Sequence, residues 1–154
     1  MPYSNQRSIV APPFWTKASK NERRRVQKMA NKHERLGVWP YEFFFAGNVR
    51  DVGRYANPFL NLSCSQGVCQ RVFATWQNDK RFRLAMHESS DIEGSGSARF
   101  CLAPSGDGFG WQLMKIVMLG GCVPIIIQPR LRQPFDTLLP YHNFSPSLDV
   151  GDIT

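Results

Sequence analysis

A chain of 154 residues with 42% hydrophobic and 12% aromatic side chains can bury one useful core, which excludes a disordered polymer and argues for one domain. The net charge of +7 invites an anionic partner, but no run of roughly eighteen apolar residues is available for a membrane-spanning helix. Four cysteines do not make a disulfide scaffold at this length, and no Cys/His cluster has zinc spacing.

In chain order, residues 1–16 read as extended and proline-bearing, with a polar N-terminus that lacks the apolar stretch of a signal peptide. Residues 17–35 carry Lys20, Arg23, Arg24, Arg25, Lys28, Lys32 and Arg35 at helical density. Ser19 and Glu22 form a capping-box pattern, and the helix should turn Val26 and Met29 inward and a basic face outward. Such runs are usually solvated faces, although this one could bind nucleic acid or a phosphate. The chain has no zinc-finger spacing, RNP motif or helix-turn-helix signature, so nucleic acid is not an expected partner.

Gly37 to Pro40 breaks the helix, and residues 42–46 read as a first strand ending at the loop Gly47-Asn48. Gly53 and Asn57-Pro58 mark irregular chain, and residues 65–76 a crossover helix. Residues 81–85 alternate as a second strand. The next connection, 86–97, is about a dozen residues rich in Ser and Gly, near the minimum for a parallel crossover. Its helix is expected to be shortened or lost.

The most informative stretch follows. Phe100 to Ala103 is a short apolar strand, and Ser105-Gly106-Asp107-Gly108-Phe109-Gly110 places glycines at alternate positions. Residues 111–119 have helical spacing, with Leu113, Met114, Val117 and Met118 assigned to one side. Gly120-Gly121 stops that helix, and residues 123–127 are apolar on every side, as a doubly covered parallel strand is. The unit is βαβ, and its strand-to-helix glycine loop is where free N–H groups and the helix dipole favour a phosphate. Spacing alone leaves a purely structural turn equally open, since the Lys-Ser/Thr of a P-loop is missing and Trp111 replaces a dinucleotide-type glycine. A short helix over 134–139 and a partial strand after 141–145 complete the expectation of a three-layer sheet with right-handed crossovers. Cys101 and Cys122 read as buried small hydrophobes, while Cys64 and Cys69 could pair only if the backbone between them is not yet helical.

Several of these segments resemble exostosin-type glycosyltransferases. The likeness lies in Phe100 to Gly108, Gly121 to Gln128 and Gln133 to Asp136, with Ile9 to Pro13, Phe43 to Arg50 and Ser65 to Val68 upstream. It covers about nine tenths of the chain in the family's order and looks nearest to algal and plant members. The resemblance implies an α/β fold, a Rossmann-like parallel sheet with helices on both faces, similar to the C-terminal, donor-binding half of a two-domain GT-B enzyme. Residues 1–40 then form a linker and basic helix, and residues 41–154 a nucleotide-sugar-binding domain incomplete at its C-terminus. The chain reads as a fragment, a truncated paralogue or an incomplete gene model.

The implied activity is inverting sugar transfer from a UDP-sugar to a glycan or polysaccharide, with no tightly bound cofactor and no metal. The acceptor would be held by a separate N-terminal domain, and the parent would be a type II protein of the Golgi lumen. Two glycosylation triplets, Asn61-Leu62-Ser63 and Asn143-Phe144-Ser145, fit a lumenal address weakly. The implied donor site comprises Gly47, Asn48, Arg50, Ser105, Gly106, Asp107, Gly108, Gly110, Gln112 and Lys115, with no general base assigned. The family has Arg where Gln112 stands, an acidic residue where Lys115 stands, and often Asp where Pro129 stands. Gln supplies no charge to a diphosphate, and an ammonium cannot accept from ribose hydroxyls. A non-catalytic or vestigial binding domain is therefore the alternative function.

Overall fold

The computed structural model describes residues 20–47, 67–86, 93–104, 111–127, 132–133 and 135–153, apart from the side chains of Trp111, Gln112, Met114 and Met118. Strands β1 (Tyr41–Ala46), β2 (Phe82–Ala85), β3 (Ala98–Pro104) and β4 (Val123–Ile127) form one sheet in the order β2-β1-β3-β4. Every pairing is parallel, with Phe43 beside Phe82 and Phe100, and Leu102 beside Ile125. Such sheets need cover on both faces, and the strands supply apolar side chains to both.

One face carries Phe43, Phe45, Phe82, Leu84, Phe100, Leu102, Ile125 and Ile127, with helix α2 (Val68–Trp76) packed on it through Val68, Val72 and Phe73. The other carries Phe44, Ala46, Cys101, Ala103 and Ile126 under helix α4 (Trp111–Leu119), with Leu113 and Ile116 pointing in. Helix α1 (Lys20–Leu36) and the single buried turn α3 (Gly94–Ser97) cover the same side as α4. The result is the expected α/β sandwich, a Rossmann-like parallel sheet with helices on both faces.

Among the described residues of the thin connection between β2 and β3, the one helical turn is α3, whose sequence is Gly-Ser-Gly-Ser. Such a turn has almost no side chain to bury, so α1 lies on it instead. Val26, with no exposed surface, is the knob. A Cβ on Gly96 would stand 2.9 Å from the Val26 carbonyl oxygen, and one on Gly121 would stand 2.6 Å from Val26 Cγ1. Two glycines thus form the hole that admits α1. The outward face is basic as expected, with Lys20, Arg23, Arg24, Lys28, Lys32 and Arg35 all exposed.

Helix ends follow the glycine rule. Gly37 has φ +65°, its N–H donates to Glu34 O at 3.1 Å, and Val38 N–H donates to His33 O at 3.3 Å, which is a Schellman closure of α1. Gly120, at φ +66°, closes α4 by donating to Ile116 O at 2.9 Å. The Ser19 cap lies outside the described residues.

Three expectations need correction. Cys101 and Cys122 are not free hydrophobes but form a disulfide, with Cα atoms 5.7 Å apart. Cys101 is buried as anticipated; what spacing could not reveal is the β3–β4 register, which sets Cys101 beside Pro124 and so brings Cys122 within bonding range. Cys69 is also in a disulfide, with its partner outside the described residues. The inner side of α4 is Leu113, Ile116 and Leu119, whereas Val117 is 38% exposed, because contact with β3 and α1 rotates the stripe. Among the described residues of 134–139 there is no helix: Leu138 and Leu139 N–H both donate to Phe135 O at 2.8 Å, giving tight turns around Phe135 at φ +58°.

Beyond these turns, a 3-10 turn over Tyr141–Asn143 leads to Ser147, which bridges Ile126 in parallel. Ile126 N–H donates to Pro146 O at 2.8 Å and Leu148 N–H to Ile126 O at 2.9 Å. The partial last strand therefore exists as one bridge on the free edge of β4. Ile153 then packs beneath α2, where Arg71 Nη1 donates to the carbonyls of Val150 and Ile153 at 3.0 and 3.3 Å.

Candidate functional site

A parallel sheet opens a crevice where successive connections depart in opposite directions, outside the carboxyl ends of the strands. In the order β2-β1-β3-β4 the chain leaves β1 for β2 on one side, while β3 proceeds to β4 on the other. The switch point is therefore between β1 and β3. Residue 47 follows β1 there, and 105–110 connects Pro104 of β3 to the first turn of α4. The start of α4 lies at the same edge, and a helix start presents its first N–H groups and positive dipole end.

Of the expected donor-site residues, Gly47, Gln112 and Lys115 fall within the described residues. Gly47 is buried, and its N–H donates to Ala85 O at 3.1 Å, tying the end of β1 to β2. A Cβ there would lie 2.6 Å from Cζ of the Phe45 ring, so glycine at 47 permits close passage over that ring. Gln112 and Lys115 occupy the first and second turns of α4, and Lys115 is half-buried. Asn48, Arg50, Ser105, Gly106, Asp107, Gly108 and Gly110 lie outside the described residues, as does Pro129.

Sequence reasoning missed one charged unit downstream of β4. Arg132 grips Asp136 with two hydrogen bonds, Nε to Oδ2 at 3.0 Å and Nη2 to Oδ1 at 3.1 Å. These bonds hold the Asp136 carboxyl below its ordinary range, and the carboxylate raises the guanidinium in return. An aspartate so held is a weak proton acceptor. The i, i+4 spacing of Arg132 and Asp136 was the available signal. Nearby Tyr141 is buried in the cluster of Ala103, Leu113 and Ile126. Burial first, and the Asp136 charge second, push its phenol up from the ordinary value. Among the described residues no cluster of three His, Cys, Asp or Glu side chains could hold a metal ion, and no helix is long and apolar enough to cross a membrane.

The model of the exostosin GT47 domain matches residues 1–154, the whole chain. The chain belongs to the exostosin GT47 family. This is a glycosyltransferase family, and the doubly covered parallel sheet is the kind that a GT-B type domain contains. Neither a curated protein nor a solved structure matches the chain.

Proposed function

We propose that this chain is the donor-binding domain of an exostosin-type transferase, taking a UDP-sugar at the β1/β3 crevice for inverting transfer to a glycan. The observation that supports the reading is the strand order, since β1 and β3, which flank its switch point, are the strands followed in the sequence by the two glycine segments that the family resemblance singles out. On this reading the glycine segment 106–110 and the first turn of α4 would meet the diphosphate, with Arg50 as a cation for it. Gly47 lets the backbone run close to Phe45 at the crevice floor. Inversion needs a base to take the acceptor hydroxyl proton as the sugar–phosphate bond breaks and UDP departs. Asp136 does not suit that role because its hydrogen bonds to Arg132 lower its basicity, and we assign the base to the acceptor side. No metal is invoked: cationic side chains and amide groups supply the countercharge.

The Cys101–Cys122 disulfide supports an oxidising compartment, in keeping with the Golgi lumen expected of the family. Gln112 and Lys115 favour the second reading, a domain that retains donor recognition without transfer. An NMR titration with UDP tests the site. The expected shifts are weak and centred on residues 47, 106–110, 112 and 115. Changing Gln112→Arg together with Lys115→Asp should tighten UDP by roughly 1.5–3 kcal/mol, one charge-assisted pair, whereas Gly108→Val should abolish binding. Shifts confined to the basic face of α1, or an unchanged affinity in the folded double variant, overturn the assignment. Sugar transfer by the 154-residue chain alone would overturn the division of labour between donor and acceptor domains.

A further inference from the structure

At the opposite, amino end of the sheet lies a groove of about 400 Å³, bounded by α1, α4 and the first residues of β3 and β4. It is about one strand length, roughly 20 Å, from the donor crevice. Its walls combine the half-buried Trp39 ring, the valine side chains 117 and 123 (each more than a third exposed), and three planar polar groups, Asn31, Glu34 and Arg99. The Arg99 guanidinium lies 5.9 Å from the centre of the Trp39 ring and 5.2 Å from that of Phe100, with Nη1 3.5 Å from Glu42 Oε1. Asn31 and Glu34 make no side-chain bond to any described residue.

This lining selects by class. The one guanidinium among the described lining residues already pairs with Glu42, which leaves no free cation there for a strongly anionic ligand, while three polar groups in the wall disfavour a purely apolar one. A pyranose suits both parts: its C–H face packs on an aromatic ring and on the valine methyls, while its hydroxyls donate to the carboxylate, accept from the guanidinium and do either with the amide. The volume lies at the small end of ligand clefts, roughly 300–1,000 Å³, and accommodates a mono- or disaccharide unit. We propose that this groove is a secondary glycan site for an uncharged oligosaccharide, distinct from the donor crevice. It rests on the reading that the chain acts on glycans, and it would hold acceptor polymer away from its growing end.

The test is a ¹H–¹⁵N titration of the 154-residue chain with uncharged xylo-, cello-, galacto- and manno-oligosaccharides, run separately from the UDP titration. Expected are millimolar-range shifts at residues 31, 34, 99, 117 and 123 with at least one series. Trp39→Ala should weaken binding at least about tenfold, the loss of one aromatic anchor. Exposed Glu34→Gln and Asn31→Ala provide second variants with little risk to folding, and each should weaken the same series while UDP shifts stay unchanged. No shifts with any series, shifts only at the donor crevice, or unaltered affinity in folded Glu34→Gln and Asn31→Ala proteins overturn the proposal. Binding only of sulfated or carboxylated oligosaccharides, lost with added salt, also overturns it and assigns the ligand to the basic face of α1. Failure of UDP with sugar binding intact removes the donor reading and leaves this site standing.

Discussion

On one face of the sheet α2 stands on a row of rings, with Trp76, Phe82 and Phe43 stacked at centroid separations of 4.9 and 4.6 Å and Phe100 a further 5.9 Å away. On the other, α1, α3 and α4 come down on Ala46, Ala98, Cys101 and Ala103, and the tightest approaches are made at Gly96 and Gly121. The aromatic face gains stability from buried ring area, which tolerates small adjustments of the helix above it. The small-residue face gains it from backbone proximity, where a single added methyl has nowhere to go. A crossover turn of four residues without apolar side chains, α3, is covered because a helix from elsewhere in the sequence reaches the backbone itself. The difference teaches that two routes to a covered sheet coexist in one small domain.

The largest effect is expected from breaking the aromatic face. Phe45→Ala removes a ring that is 1% exposed and meets Phe73 edge-on at 6.1 Å, at a cost of about 3–5 kcal/mol in urea unfolding. A loss below about 1 kcal/mol would show that this face repacks freely. Next comes the other face. Gly121→Ala forces a Cβ to within 2.7 Å of Ser95 O and 2.6 Å of Val26 Cγ1 and should cost about 1–3 kcal/mol, while Gly151→Ala, with open space around it, should be near neutral.

Combining Gly121→Ala with Val26→Ala sharpens the point. Removing the valine methyls should recover part of the loss, a coupling of about 0.5–2 kcal/mol in a double-mutant cycle, and strict additivity would show that α1 does not press on Gly121. Gly37→Ala has space but the wrong backbone: at φ +65° it should cost about 1 kcal/mol by loosening the Schellman closure of α1. The smallest effect is electrostatic and belongs to neither face. Arg81 donates to Asp79 Oδ2 at 2.7 Å and, by hydrogen bonding above all, lowers the Asp79 carboxyl below its unfolded value. A depressed carboxylate contributes stability above its unfolded pKa, about 3.9, and loses it as pH falls through the folded value. Asp79→Asn should therefore unfold slightly earlier than the parent at neutral pH and coincide with it in strong acid; a difference that persists in acid would assign the effect to packing.

Much of this was legible in the residues. The β-branched run at 123–127, the apolar strand at 100–103 and the glycines at 37 and 120 announce themselves through local backbone preferences, and the observed elements match them to within a few residues. The inward turn of Val26 followed from helical spacing and is confirmed by its full burial. The family could be read from several short motifs in register, and the whole-chain match bears this out. By contrast, the inner stripe of α4 was misassigned because residues 111–119 are apolar on several sides, so periodicity could not choose among them; contact with the sheet and α1 does.

By itself, then, the sequence determined the succession of strands and helices, the parallel sheet and the family, because each depends on local spacing, on glycine positions or on short contiguous motifs. Only the tertiary structure decided that α1 covers the thin crossover through Gly96 and Gly121, that Cys101 reaches Cys122, that Ser147 pairs with β4, and that Trp39 and Arg99 meet in one groove. Each of these joins residues distant in the chain through a register or a close approach, and neither leaves a periodic trace in the sequence.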